Sequence, residues 1–351
     1  MRSHTGLKAC IWHGQYCTKG NKSLCPPPMI TLNTGASMPM LAFGTGMLPV
    51  NSIRRGPNGI RDRSALPLLN ASLALGVASI DTSEMYPGFD QLGSVLRPHR
   101  RRLFIISKVD PTIEPAKSWC HHDSSSGCES AMLNAANRTR RRLGLVPDLL
   151  LLHRPPPRRS LDAAAQCNAL KAAWRGLELA QYGGLTKAIG LSNVCGPLLG
   201  CLARSNLRVP PAVMQYMMHV GMGPDPFGYR SFGARAWRSA FMAYSVLGGA
   251  EQEFERITAS PAVARIAAAH GNRAAGVAIS WVAQQRIPMV LISANAAHQR
   301  DNLKAIYGDP PWGRLSAREM AVLSDAQEPA GRPSHWGDCD DERVKEPASE
   351  L

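Results

Sequence analysis

The chain has 351 residues, 44% of them hydrophobic, with 31 glycines and 27 prolines spread along it, which permits a sizeable core and excludes a fibrous or wholly disordered protein. Its formal charge of +14 raises nucleic-acid binding, but the arginines fall in short runs at 100–102, 140–142 and 158–159 without interleaved aromatics, the pattern of a solvated rim. No run of about eighteen apolar residues exists to cross a membrane, and the nine cysteines form no even, closely spaced framework, which points to reduced thiols in an intracellular compartment.

Residues 1–28 carry four Lys or Arg and no acid, the composition of a disordered or targeting tail, so the expected location is cytoplasmic or, with import, an organelle. Residues 29–40 read as a hairpin turning at Asn33-Thr34-Gly35. Short apolar runs then recur at 40–44, 77–81, 103–109, 149–153, 188–192, 213–218, 241–245 and 289–293. Helical spacing occupies 64–75, 91–96, 129–143, 161–181, 197–204, 230–238, 261–269 with 274–284, and 298–306. Within 129–143, for instance, Met132, Ala135, Ala136, Thr139 and Leu143 form one stripe.

Strand then helix, eight times over, predicts an α/β fold, a (β/α)8 TIM barrel with an N-terminal β-hairpin. Residues 315–326, with Ser316 as cap, predict an extra C-terminal helix, making 29–326 one domain and 327–351 a loose tail. An open doubly wound sheet would need a Gly-rich phosphate turn after its first strand, and "GTGM" at 44–47 is too short for one.

A barrel gathers polar residues from the carboxyl ends of its strands at one mouth. Here those ends supply Asp81 and Tyr86, Lys108, His153, Ser192 with Asn193, Gln215, and Tyr244. Four of these form a proton-transfer set. Tyr86 is a weak acid whose phenolate a neighbouring Lys108 would stabilise, each pKa unit of depression being worth about 1.4 kcal/mol. Asp81 would keep that lysine charged, and neutral His153 would orient a carbonyl. Glu84, between them, reads as a helix-start or solvent residue.

Several segments, in collinear order from about residue 29 to 326, resemble the aldo-keto reductases: "LNTGASMPMLAFGTG", "ASIDTSEMY", "LFIISK", "RRLGLVPDLLLLHRP", "AIGLSN", "AVMQYMMH" and "AYSVLGG". The resemblance implies an NADPH-dependent carbonyl reductase, NADH not being excluded, with Tyr86 as general acid supported by Asp81, Lys108 and His153. It implies cofactor contacts from Gly44, Thr45, Asp81, Ser192, Asn193, Gln215, Tyr244, Ser245, Leu247, Ser293, Asn295 and Asn302. It implies a small-molecule carbonyl substrate, with Met47 and Arg154 in its pocket; a monomer is expected, and the charge pattern and the lack of a long apolar run predict no nucleic-acid or membrane partner. The alternative is a cofactor-binding barrel that regulates a partner and turns over little.

The chain also departs from the family's pattern. Gly46 and Arg154 stand where two tryptophans are usual, which widens the pocket and offers an anionic substrate a partner. In "LISANAAHQRDNL", the usual basic clamp on the adenosine 2′-phosphate becomes Ile292 and His298, with Arg300 as a substitute. Val220 replaces the proline usual after His219. An insertion between Lys108 and His153 carries Cys120, His121, His122 and Cys128, but this spacing fits no common zinc site, so no metal is expected and the segment reads as a loop beside the active site.

Overall fold

The computed structural model describes residues 28–46, 66–110, 125–156, 161–248, 251–293, 295–307 and 314–325, with four short strand pieces at 10–12, 15–17, 54–55 and 61–62. Eight strands form a closed, all-parallel barrel in chain order. They are β1 Leu41–Gly44, β2 Ser79–Asp81, β3 Phe104–Val109, β4 Leu149–Leu152, β5 Ile189–Ser192, β6 Val213–Met217, β7 Ala240–Tyr244 and β8 Met289–Leu291. Leucine, isoleucine and valine dominate because both strand faces are covered, one by the interior and one by helices. Ala42, Ile106, Leu149, Leu151, Val213 and Met242 pack together as part of one buried cluster.

Eleven helices follow among the described residues: α1 Leu66–Ala74, α2 Phe89–Leu96, α3 Ser125–Leu143, α4 Ala163–Tyr182, α5 Gly196–Ala203, α6 Tyr229–Trp237, α7 Glu251–Ala259, α8 Pro261–Ala269, α9 Ala274–Gln284, α10 Ala296–Tyr307 and α11 Ala317–Asp325. Asp162 caps α4 by accepting the Ala165 N–H at 2.8 Å. The close approach of α3 to α4 requires a glycine: a Cβ on Gly176 would stand 2.4 Å from the Glu129 carbonyl oxygen. The capping box at α11 is complete, since Ser316 Oγ accepts the Glu319 N–H at 3.2 Å while the Glu319 carboxylate accepts the Ser316 N–H at 2.7 Å.

The expected hairpin is formed by Met29–Thr31 and Ser37–Pro39, with its turn at Gly35. It lies across the amino-terminal end of the barrel. Leu32 and Met38 join the interior cluster, and Asn33 Nδ2 donates at 2.9 Å to the carbonyls of Pro211 and Trp237, which precede β6 and β7. That end is sealed, which leaves the carboxyl ends of the strands as the open mouth.

Several expectations need correction. Helix α7 is an addition to the expected elements: among its described side chains Ile257 alone is buried while Phe254 is 43% exposed, too little of a stripe to show in the spacing. Short antiparallel pairs also form, Cys10–Trp12 with Gln15–Cys17 where a disordered or targeting tail was expected, and Arg54–Arg55 with Arg61–Asp62 between β1 and α1. The thiols are not all reduced. Cys167 of α4 and Cys201 of α5 form a disulfide, their Cα atoms 5.9 Å apart, because packed helices bring together residues 34 apart in sequence. Among the described residues, no helix is long and apolar enough to cross a membrane.

Candidate active site

Strand register explains how the expected residues meet. Asp81 ends β2 opposite Gly44 on one side and Ile106 on the other, and Lys108 lies two residues beyond Ile106 on the same face of β3. Lys108 Nζ donates to Asp81 Oδ1 at 2.5 Å, to the Thr82 carbonyl at 3.3 Å and to Tyr86 Oη at 3.4 Å. The Asp81 and Lys108 side chains are 4% and 3% exposed, so the ion pair lies out of water. The His153 ring meets the Tyr86 ring edge-on, with centroids 5.8 Å apart and planes at 82°.

Electrostatics modify one expectation. Burial raises the Tyr86 phenol above its ordinary pKa, and the Lys108 charge offsets that only in part, so the phenol holds its proton more firmly than in water. The shift is therefore opposite in sign to the depression expected from a neighbouring cation, because desolvation outweighs the Lys108 charge. Burial also works against the Lys108 ammonium, but Asp81 and Tyr86 more than restore it, and its pKa stands raised. Burial, then Lys108 and Arg154, holds His153 well below the ordinary histidine value, so the ring is neutral.

The other strand ends join the same network. Gln215 Nε2 donates to Asp81 Oδ2 at 2.9 Å. Ser192 Oγ donates to the Gln215 carbonyl at 3.1 Å, and Asn193 Nδ2 donates to the His153 carbonyl at 3.0 Å. Tyr244 Oη donates to Asn193 Oδ1 at 2.7 Å, which holds that ring at the mouth. Asn193 and Ser245 adopt left-handed backbone, with φ 60° and 51°, a conformation uncommon for non-glycine residues. Thr45 Oγ1 contacts Thr82 Oγ1 at 2.8 Å, and a Cβ on Gly44 would approach Val290 Cγ1 to 2.9 Å, so the β1 end admits no larger residue without movement.

This donor set fits a nicotinamide cofactor. Side-chain amides and hydroxyls at Ser192, Asn193 and Gln215 match the acceptor and donor needs of a carboxamide, and the half-buried Tyr244 offers a flat face beside them. Leu247 is half-buried on the same loop. Ser293, Asn295 and Asn302 lie apart, the first two just before α10 and Asn302 in its middle. Ser293 Oγ accepts the Asn295 N–H at 3.2 Å, Asn295 caps the helix at Ala297, and Asn302 lines a small cavity with Phe43 and Ser72. Arg300 is exposed. Arg273, which the sequence did not single out, reaches Asp301 Oδ2 at 3.1 Å and His298 Nε2 at 3.2 Å, adding a cation beside that helix.

Arg154 has a counter-ion: its Nε lies 3.1 Å from Asp110 Oδ2, and Asp110 is 1% exposed. Its Nη2 stands 3.1 Å from Met85 Sδ. Glu84 is not a solvent residue. Its fully buried carboxylate takes a two-pronged pair from Arg138 of α3 at 2.7 and 2.9 Å, with Arg142 3.6 Å away, and this clamps the loop carrying Tyr86 to the barrel wall. Arg100, Arg138 and Arg142 are thus engaged within the fold. Met47, Arg158, Arg159 and Cys120 to His122 lie outside the described residues, while Cys128 is buried in α3.

Comparison with known proteins agrees with this arrangement. The family model described as "Aldo/keto reductase family" matches residues 40–309. A curated relative, the NADPH-dependent codeinone reductase 1-2 of Papaver somniferum, is 30% identical over 309 residues, covering 85% of this chain and 89% of its own. An aldo-keto reductase enzyme from a Medee basin deep-sea metagenome library superposes with a TM-score of 0.68 at 22% identity, over 89% of this chain and 100% of that one. An aldo-keto reductase complexed with NADPH superposes with a TM-score of 0.64 at 24% identity, over 85% of this chain and 87% of that one.

Proposed function

Because this chain belongs to the aldo/keto reductase family, we propose that it reduces an aldehyde or ketone to an alcohol with NADPH, using Tyr86 as the general acid. The observation that carries this reading is the placement of the Lys108 ammonium between the Asp81 carboxylate at 2.5 Å and the Tyr86 hydroxyl at 3.4 Å. The named relative from Papaver somniferum is NADPH-dependent, which supports the choice of cofactor.

Bound NADPH would supply the hydride to the carbonyl carbon. The residues of this chain do the rest. Ser192, Asn193 and Gln215 hold the carboxamide, and the Tyr244 ring supports the nicotinamide face. As negative charge develops on the carbonyl oxygen, the Tyr86 O–H bond breaks and a new O–H bond forms on the substrate. The phenolate left behind lies beside Lys108, whose charge Asp81 maintains. A raised phenol pKa suits this direction, because Tyr86 enters the cycle protonated. Neutral His153 donates to the same oxygen and orients it.

Arg154 makes the pocket more polar than the family pattern, and Asp110 fixes it there. Arg154→Ala is expected to lower kcat/KM for acidic carbonyl compounds about tenfold relative to neutral ones. Arg273 and Arg300 stand near the place that the resemblance assigns to the 2′-phosphate, which favours NADPH over NADH. We read the protein as a monomer acting on small molecules.

A panel of aldehydes and ketones, with NADPH and NADH measured in parallel, tests the proposal. The expected result is carbonyl-dependent loss of NADPH absorbance that exceeds the loss of NADH. Quenching of tryptophan fluorescence by NADPH without turnover on any compound would favour a regulatory barrel instead.

A further inference from the structure

We propose that Ser83 is a positioning residue that fixes the His153 imidazole with its proton on Nε2, so that Nε2 donates to the substrate carbonyl. The inference rests on the reading of the site given above.

Ser83 lies three residues before Tyr86 and is fully buried. Its Oγ stands 3.2 Å from His153 Nδ1 and 3.5 Å from the Lys108 carbonyl, and it accepts the Met85 N–H at 3.3 Å. The hydroxyl has one hydrogen to give. Directed at Nδ1, it makes the shorter contact while the oxygen keeps its bond from Met85.

The opposite tautomer would ask the oxygen to accept both Met85 N–H and Nδ1–H. It would then have to donate across 3.5 Å to the Lys108 carbonyl, at the limit of hydrogen bonding. The geometry therefore favours Nδ1 as acceptor. A neutral ring carries only one proton, and with Nδ1 accepting, that proton sits on Nε2. Ser83 thereby converts an imidazole able to accept or donate into a fixed donor. The bond from Asn193 to the His153 carbonyl, at 3.0 Å, holds the backbone of the same residue.

The test uses the full chain with 15N-labelled histidine, the His153 signals being identified by their loss in His153→Gln. The expected spectrum shows protonated Nε2 and unprotonated, hydrogen-bonded Nδ1. Ser83→Ala is expected to move the Nδ1 signal and to lower kcat about tenfold, the size of one hydrogen bond, with the Kd for NADPH unchanged. A wild-type ring protonated on Nδ1 would overturn the proposal, as would a Ser83→Ala enzyme with unaltered Nδ1 signal and kcat. Failure of the underlying reading looks different: full kcat in His153→Gln would remove it, and the wild-type spectrum would still decide for or against Ser83.

Discussion

Two buried carboxylates sit at opposite ends of one barrel wall and serve different ends. At the amino-terminal end, Asp148 accepts the Ile105 N–H at 2.8 Å, Arg100 at 3.0 Å and Lys187 at 2.8 Å. Its cations stay in contact with water, Lys187 with 66% of its side chain exposed and Arg100 with 25%. At the mouth, Asp81 and Lys108 are both withdrawn from water, a costlier arrangement that only close geometry and added hydrogen bonds offset. The first pair staples the start of β4 to β3. The second keeps a cation dried against an acid and beside a phenol, the arrangement on which the proposed proton transfer rests.

That contrast breaks most sharply at Lys108. Lys108→Met leaves Asp81 buried without its counter-ion, and chemical denaturation is expected to show a loss of about 3–5 kcal/mol. Turnover per folded molecule should fall about 1000-fold as well, because the phenolate loses its support. Asp148→Asn should cost about 2 kcal/mol in the same denaturation measurement while kcat per folded molecule stays at the wild-type value.

The pH profile sharpens the mouth of the barrel alone. In the proposed mechanism reduction needs Tyr86 protonated, and its raised pKa moves the alkaline fall in rate above pH 10.0. It needs His153 neutral, and the lowered pKa moves the acid fall below pH 6.5. The kcat for reduction should be flat between those limits, and a midpoint within them would assign the proton to another group. Smallest of all, Lys187→Ala should change stability by less than about 1 kcal/mol, as expected of an ion pair with one end in solvent.

What was legible in the sequence was whatever repeats or sits at a fixed place in the repeat. Eight apolar runs and the helical stripes between them gave the barrel, and strand ends gave Asp81, Lys108, His153, Asn193 and Gln215, which the structure joins in one network. Contacts between residues far apart in the chain were not legible. Glu84 meets Arg138 across 54 residues and Asp110 meets Arg154 across β4, pairings that no local pattern announces. Ser83 was hidden for another reason: nothing in a serine's own sequence says that it faces an imidazole. The disulfide between α4 and α5 was equally silent, since helix packing sets its geometry. The sign of the Tyr86 shift failed because burial, which outweighs Lys108 there, is a property of the folded state.

The central claim is that the mouth of the barrel does proton chemistry through one hydroxyl. Tyr86→Phe removes that hydroxyl and nothing else, so kcat for carbonyl reduction should fall about 1000-fold while the Tm and the Kd for NADPH match those of the wild type. A Tyr86→Phe enzyme that reduces the same carbonyl compound at the wild-type rate would contradict the account.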